Sequence, residues 1–303
     1  MTKHNIISDN AEIYMPAAIS HGPPLILQPQ TPLTLPAILR GAADKPQEII
    51  YIQEGSVPLY QSYAGLLQEA SELLTGLQQL GLKPGDKAIL QFEHNEQFIL
   101  AFWSCLLGGI VPVLLPVVHS TKQMNAWQKL HNAYMTAHEP YIYTSMTVSQ
   151  EWTEDQVAEI PREKLLAIER LLQSGAAWRH YESRPDDLAI LALTSGSTGN
   201  AKLVMLTHRN IISQIRGIAQ VKHLSAADVS LNWMPLDHLG SIGTHIRDVD
   251  CGIKQVQVAT ETILKDPLRW LDLMDRYRVT LTRAPNFAYR LVNEQEQSMT
   301  RRN

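Results

Sequence analysis

The sequence is poor in cysteine and in charge. Its two cysteines, Cys105 and Cys251, have no paired spacing. On count alone, that excludes a disulfide framework and a zinc site. They read as the reduced thiols of a cytoplasmic protein. Charged residues make up 18% of the 303 positions, below the roughly 25% usual for soluble domains. Little surface is left for solvation, and one face is free to meet a partner. There is no basic excess, since 26 Lys and Arg face 30 Asp and Glu for a net charge of −4. Nucleic-acid binding through a basic surface is excluded on that ground. The opening MTKHNIISDN lacks the apolar stretch of a signal peptide. Internal repeats and low-complexity tracts are missing too. Apolar residues, at 45%, are plentiful enough to bury a real core and rule out a disordered chain.

One run, Phe98 to Val118, carries no charge and is long enough to cross a bilayer. Gly108 and Gly109 interrupt its middle, and Pro112 and Pro116 follow. A buried helix, a glycine turn and a buried parallel strand account for it better, so no membrane span is expected.

Residues 1–31 read as a polar arm. An alternation of helix and strand signals follows. Tyr63, Leu66, Leu67, Ala70, Leu73, Leu74, Leu77 and Leu80 form one helical stripe. Gly81 ends it and a turn at 83–86 leads to the strand 87–92. Helices at 95–107 and 122–137 alternate with strands VPVLLPV (111–117) and YIYTS (141–145). A helix is expected in EKLLAIERLLQ (163–173), then strands at 188–194 and 203–207. Thr207 is placed to cap the next helix, whose Ile211, Ile212, Ile215, Ile218 and Ala219 share a face. Strands VSLNWM, KQVQVAT and VTLTRAP follow, separated by helices near 239–248, 265–277 and 286–294. This order predicts an α/β fold with two layered, mostly parallel sheets and flanking helices.

The segment richest in chemistry is LTSGSTGNAKLVMLTHRN, residues 193–210. Thr194, Ser195, Ser197 and Thr198 bring four hydroxyls into five residues. Gly196 and Gly199 allow close backbone approach, and Lys202 adds a point charge. Hydroxyls, open backbone N–H groups and a lysine after a buried strand suit the phosphates of a nucleotide. The plainer alternative is a Ser/Gly-rich hairpin turn. A Walker loop is excluded, because Ala201 precedes Lys202, Leu203 follows it, and a strand rather than a helix comes next. A Rossmann G-x-G-x-x-G is absent from this loop.

These residues resemble the phosphate loop of the adenylate-forming (AMP-binding) superfamily: acyl-CoA synthetases, fatty acyl-AMP ligases and the adenylation domains of nonribosomal peptide synthetases. Ala201 and Leu203 depart from the proline and glycine usual there. LYQSYAGLLQEASELLTGLQQLGLKPGDKAIL, LLGGIVPVLLP and NWMPLDHLGSIG are also similar to that family. DPLRWLDLMDRYRVTLTRAPNFAYRLV most resembles fatty acyl-AMP ligases and the loading domains of polyketide and peptide synthetases. The likeness covers roughly residues 32–294.

The resemblance implies that a carboxylic or fatty acid attacks ATP to give acyl-AMP and pyrophosphate. Transfer to the thiol of CoA or of a phosphopantetheinyl carrier protein would follow. Thr194, Ser195, Gly196, Ser197, Thr198, Gly199 and Lys202 would hold the ATP phosphates. His238, Gly240, Asn286 and Phe287 would line the substrate pocket, with Gly243 and Tyr289 nearby. For His238 the alternative is a histidine paired with Asp237. For Asn286, Phe287 and Tyr289 it is core packing. His245, Asp248 and Asp250 invite a metal reading, but a solvated polar face is the expectation, and no metal site is assigned. The family's later elements find no counterpart, among them the main Mg2+ contact, the ribose aspartate and the lid with the catalytic lysine. No catalytic residue is therefore assigned. Residues 32–303 are expected to be the front part of the large N-terminal domain, acting together with the missing C-terminal part. The alternative is a catalytically incomplete nucleotide-binding or partner-docking fragment.

Overall fold

The computed structural model describes residues 22–28, 30–118, 124–153, 160–171, 178–194 and 202–300. Its strands are β1 (Glu48–Ile52), β2 (Leu59–Ser62), β3 (Lys87–Gln91), β4 (Val111–Leu114), β5 (Tyr141–Thr144) and β6 (Leu165–Ala167), followed by β7 (Leu188–Thr194), β8 (Lys202–Thr207), β9 (Val229–Asn232), β10 (Lys254–Val258) and β11 (Leu281–Thr282). They form a five-stranded sheet, β11-β9-β10-β1-β2, and a six-stranded sheet, β6-β5-β3-β4-β7-β8. Within each sheet only the last pair, β1 with β2 and β7 with β8, is antiparallel. Two layered, mostly parallel sheets are thus what the alternation foretold.

The sheets face one another across helices. Strand residues alternate sides, so Ile49 and Tyr51 of β1, with Ala88 and Leu90 of β3, turn inward onto helices Leu35–Ala42, Tyr63–Gln79, Asn95–Leu107 and Leu239–Cys251. Ile89, Val113, Ile142 and Leu191 turn outward to a second apolar layer that includes Trp127 and Leu130 of helix Met124–Thr136. Ile50, Ile52, Leu231, Val256 and Val258 face a third, made by helices Thr260–Lys265, Leu268–Arg276 and Asn286–Thr300. The charge-free run resolves as expected: helix Asn95–Leu107, then Gly109 at φ 67°, then β4. Among the described residues no helix is long and apolar enough to cross a membrane.

Several expectations need correction. EKLLAIERLLQ is not one helix. A 3-10 turn (Arg162–Lys164) leads into β6, which pairs with β5 from Leu165 to Ala167, and helix Ile168–Leu171 follows. A short apolar run fits both periods, and here the open edge of β5 takes it as a strand. The helix expected near 265–277 is present as Leu268–Arg276, starting after Pro267, and a separate short helix, Thr260–Lys265, precedes it unforeseen. VTLTRAP yields only the two-residue β11. Helix Leu35–Ala42 and strands β1 and β2 had no counterpart in the sequence reading. EIIYI lies between polar connections and is too short to declare a period.

Candidate functional site

The carboxyl ends of parallel strands from both sheets converge on one cavity of about 230 Å³. Phe92 and Glu93 follow β3, and Pro116 and Val117 follow β4. Pro235, Leu236, Asp237 and His238 follow β9, and Ala259, Thr260 and Glu261 follow β10. In open α/β sheets this is where ligands bind.

Local hydrogen bonds fix the walls. Buried Gln91 closes β3 and clamps the wall after β4: its Oε1 accepts from Val118 N at 3.0 Å and its Nε2 donates to Pro116 O at 3.2 Å. Asn95 joins the sheets by donating to Val258 O at 3.2 Å. Thr260 joins the ends of β10 and β9 by donating to Trp233 O at 2.8 Å. The floor is apolar, with Phe92, Phe98, Leu236 and Val117 on it.

His238 is the N-cap of helix Leu239–Cys251, with an exposed side chain that makes no capping bond. It lines the cavity beside Asp237. Burial pushes the Asp237 carboxyl above its usual range, and the neighbouring His238 pulls it back down. Gly240 lies one residue into the helix, against a different partner: a Cβ there would sit 2.5 Å from Arg283 Nη2. Asn286 and Phe287 begin helix Asn286–Thr300, just past β11. Phe287 meets Trp233 edge-on at 6.5 Å, and Tyr289 tilts onto Trp270 at 5.4 Å. His238 alone of the four predicted pocket residues is in the cavity wall. The other three lie on the same edge of the five-stranded sheet.

The predicted phosphate loop is pinned at both ends. Thr194 ends β7 and Lys202 begins β8, and the two are register partners. Leu114 of β4 pairs with Ala192 of β7. Pro116, in the cavity wall, and Thr194 each lie two residues beyond that pair along their own chains. Being parallel to β4, β7 ends on the side of the six-stranded sheet that carries the cavity. Ser195, Gly196, Ser197, Thr198 and Gly199 lie outside the described residues. Downstream, the Thr207 cap is present as a full capping box, with Asn210 N donating to Thr207 Oγ1 at 3.2 Å and Thr207 N donating to Asn210 Oδ1 at 3.0 Å.

The expected solvated face of His245, Asp248 and Asp250 is overturned. His245 and Asp248 are fully buried, and Asp250 is held by a bidentate pair with Arg216 at 2.7 and 2.8 Å. Trp103 Nε1 donates to His245 Nε2 at 2.8 Å, which leaves the ring proton on Nδ1 to donate to Gln255 Oε1 at 2.8 Å. Gln255 donates to Tyr63 Oη, which donates to Ile253 O. Burial drives the His245 ring down to about 4. This histidine is a neutral structural bridge that secures the helix bearing His238. Among the described residues no cluster of His, Cys, Asp or Glu is fit to hold a metal ion, so no chemistry through Mg2+ is derived from them.

Sequence reasoning missed most of the cavity: Phe92, Glu93, Asn95, Phe98, Pro116, Val117, Asp237, Thr260 and Glu261. A usable signal was present, since nearly all of them stand just past the carboxyl end of a parallel strand.

Two layered, mostly parallel sheets with flanking helices, and a cavity where their carboxyl ends meet, define the class of fold. The model of the AMP-binding enzyme family matches residues 39–302, and the chain belongs to that family. Its fold is that of the N-terminal domain of adenylate-forming enzymes. It is similar to the adenylation domain of a keto acid-selecting NRPS module bound to keto acyl adenylate, with 36% identity, a TM-score of 0.83, and coverage of 89% of this chain and 49% of that one. It is also similar to the fatty acyl-adenylate ligase from L. pneumophila in complex with acyl adenylate and pyrophosphate (25% identity, TM-score 0.77, 85% and 45% covered). Atromentin synthetase greA of Suillus grevillei is 33% identical over 235 residues, which are 75% of this chain and 24% of that protein. The chain thus spans about a quarter of that curated relative and about half of the solved ones.

Proposed function

We propose that this chain supplies the front half of an adenylate-forming site that activates an organic acid with ATP. A carboxylate oxygen attacks the α-phosphorus and the bond to the β-phosphate bridge breaks. Acyl-AMP forms and pyrophosphate leaves. A thiol then attacks the acyl carbon, losing its proton, and AMP departs as the thioester forms. CoA or a carrier-protein phosphopantetheine provides that thiol, and the C-terminal part of the enzyme provides the lid.

The observation that carries this reading is that β7 ends, and β8 begins, on the side of the six-stranded sheet that also carries the His238 cavity. In that arrangement Thr194, Ser195, Gly196, Ser197, Thr198, Gly199 and Lys202 stabilise negative charge on the transferring phosphates. Their hydroxyl and N–H donor set fits a polyphosphate. His238 meets the acyl end of the substrate, Gly240 lets the Arg283 guanidinium pack over the first turn of the same helix, and Asn286 and Phe287 close the far wall. The acid is a carboxylic acid of the fatty or keto class, as the two solved relatives suggest. Work in the cytoplasm agrees with the two free cysteines.

The test is acid-dependent exchange of labelled pyrophosphate into ATP, across a broad panel of acids, using the chain joined to a complementing C-terminal part. Exchange that Ser197→Ala and Lys202→Ala each lower roughly ten- to a hundredfold is the expected result. No exchange with any acid refutes the reading. ATP binding without exchange selects the alternative of a nucleotide-binding or docking fragment.

A further inference from the structure

A second, smaller space of about 50 Å³ lies against the helix that His238 caps. It sits between the middle of helix Leu239–Cys251, at Thr244 and Arg247, and strands β9 and β11. Lys222, Arg247, Arg283, Thr244, Asn232 and Thr282 line it. Two contacts link it to Gly240, two residues after His238. Thr244 Oγ1 donates to Gly240 O at 2.9 Å, one turn below His238. The Arg283 guanidinium covers Gly240 so closely that any side chain there would displace it.

The charge balance of this crevice is uneven. Three cations line it, and among the described residues its ion pairing reduces to one contact, Arg247 with buried Asp248 at 2.5 Å. Burial lowers the Arg283 guanidinium pKa, the like charge of Arg247 lowers it further, and Asp248 opposes both. Lys222 and Arg283 are exposed and Arg247 is buried, so the excess positive charge stands at the mouth of the space, where it attracts an incoming anion. The size admits one carboxylate, since a single water needs only about 10–15 Å³ of such space. Asn232 sends its amide hydrogens to Met234 O and Gln257 Oε1, which leaves its buried Oδ1 as an acceptor in the same wall. A carboxylate that brings a hydroxyl or a water with it meets both demands.

We propose that this crevice is an end pocket of the acyl site, taking a second carboxylate at the far end of the acid that is activated. The inference rests on the reading of the His238 cavity as the acyl pocket, and it narrows the substrate to acids with two anionic ends. Arg283 is then a specificity-determining residue, reaching over Gly240 to the end of the substrate.

The experiment is calorimetric titration of the whole 303-residue chain with succinate, glutarate and adipate, each against the monocarboxylate of equal carbon count. At least one dicarboxylate is expected to bind roughly tenfold tighter than its partner, the scale of a charge-assisted hydrogen bond. Arg283→Gln should remove that margin, and Arg209→Gln, at an exposed pair with Asp186, should not. If Arg283→Gln fails to fold, Arg283→Lys keeps the charge without the planar fork, and the margin should shrink. No margin, or a margin untouched by either Arg283 variant, overturns the end pocket. So does inorganic sulfate binding as tightly as the dicarboxylate, because that marks a free-anion site. Pyrophosphate exchange supported only by monocarboxylates sinks this inference and leaves the proposed function standing. No exchange with any acid does the reverse damage, whatever the titration reads.

Discussion

The two sheets fill their interiors in opposite ways. Inward positions of the six-stranded sheet are apolar, as in Ala88, Leu90, Ile190 and Ala192. On β9 and β10 of the five-stranded sheet, the inward positions are Ser230, Asn232, Gln255 and Gln257, all buried. Their outward neighbours Leu231, Val256 and Val258 pack normally. The first sheet is held by area, which has no direction. The second is held by a chain of hydrogen bonds that runs from Trp103 through His245 and Gln255 to Tyr63. Directional bonds fix the rotation of helix Leu239–Cys251, and with it the aim of His238. The apolar sheet carries β7 and β8, and the polar one carries the strand that leads to His238.

The contrast can be broken from either side. Leu90→Ala, in the apolar interior, should give the largest loss of stability, about 2–5 kcal/mol in chemical denaturation. Gln255→Leu leaves the His245 Nδ1–H without its acceptor and takes a hydrogen bond from Tyr63 Oη. It should cost about 1–3 kcal/mol and also reduce pyrophosphate exchange more than Leu90→Ala does at matched folded fraction.

Acid separates the sheets as well. Burial lowers both His208 and His245 to about 4. His208 Nδ1 accepts from Leu35 N, so its ring too is neutral in the fold. A depressed histidine contributes stability above pH 6.5 that is lost as pH falls toward 4, of order 3 kcal/mol for each ring. Asp248, raised to about 6 chiefly by burial, acts oppositely and costs stability as pH rises through 6. Two histidines against one carboxyl leave a net loss on acidification. His208→Gln should flatten the slope of melting temperature between pH 6.5 and 4, and an unchanged slope would refute the assignment.

The smallest effects belong to exposed pairs. Arg209→Ala at the exposed contact with Asp186 should leave stability within measurement error. Arg216→Ala strips the half-buried Asp250 of its bidentate partner and should cost measurably more.

The same contrast explains what the sequence disclosed. The six-stranded sheet was legible because its strands are continuous apolar runs, such as LAILALT, and because a hydroxyl-rich loop interrupts them. The family resemblance came from that loop and its flanks. The five-stranded sheet was harder to read. KQVQV shows a strand but says nothing of where its glutamines point, and β11 has only two paired residues. His245 and Asp248 sit in a polar stretch that reads as solvent-facing, and only long-range partners such as Trp103 make them interior. The cavity was obscure for the same reason, since its wall is gathered from four strand ends that are distant in sequence.

Identifying the adenosine product of the completed enzyme tests the central claim most directly. Acid-dependent release of AMP and pyrophosphate, lost in Lys202→Ala and diminished in His238→Ala, is the expected outcome. Formation of ADP and phosphate, or nucleotide turnover indifferent to both substitutions, would contradict it.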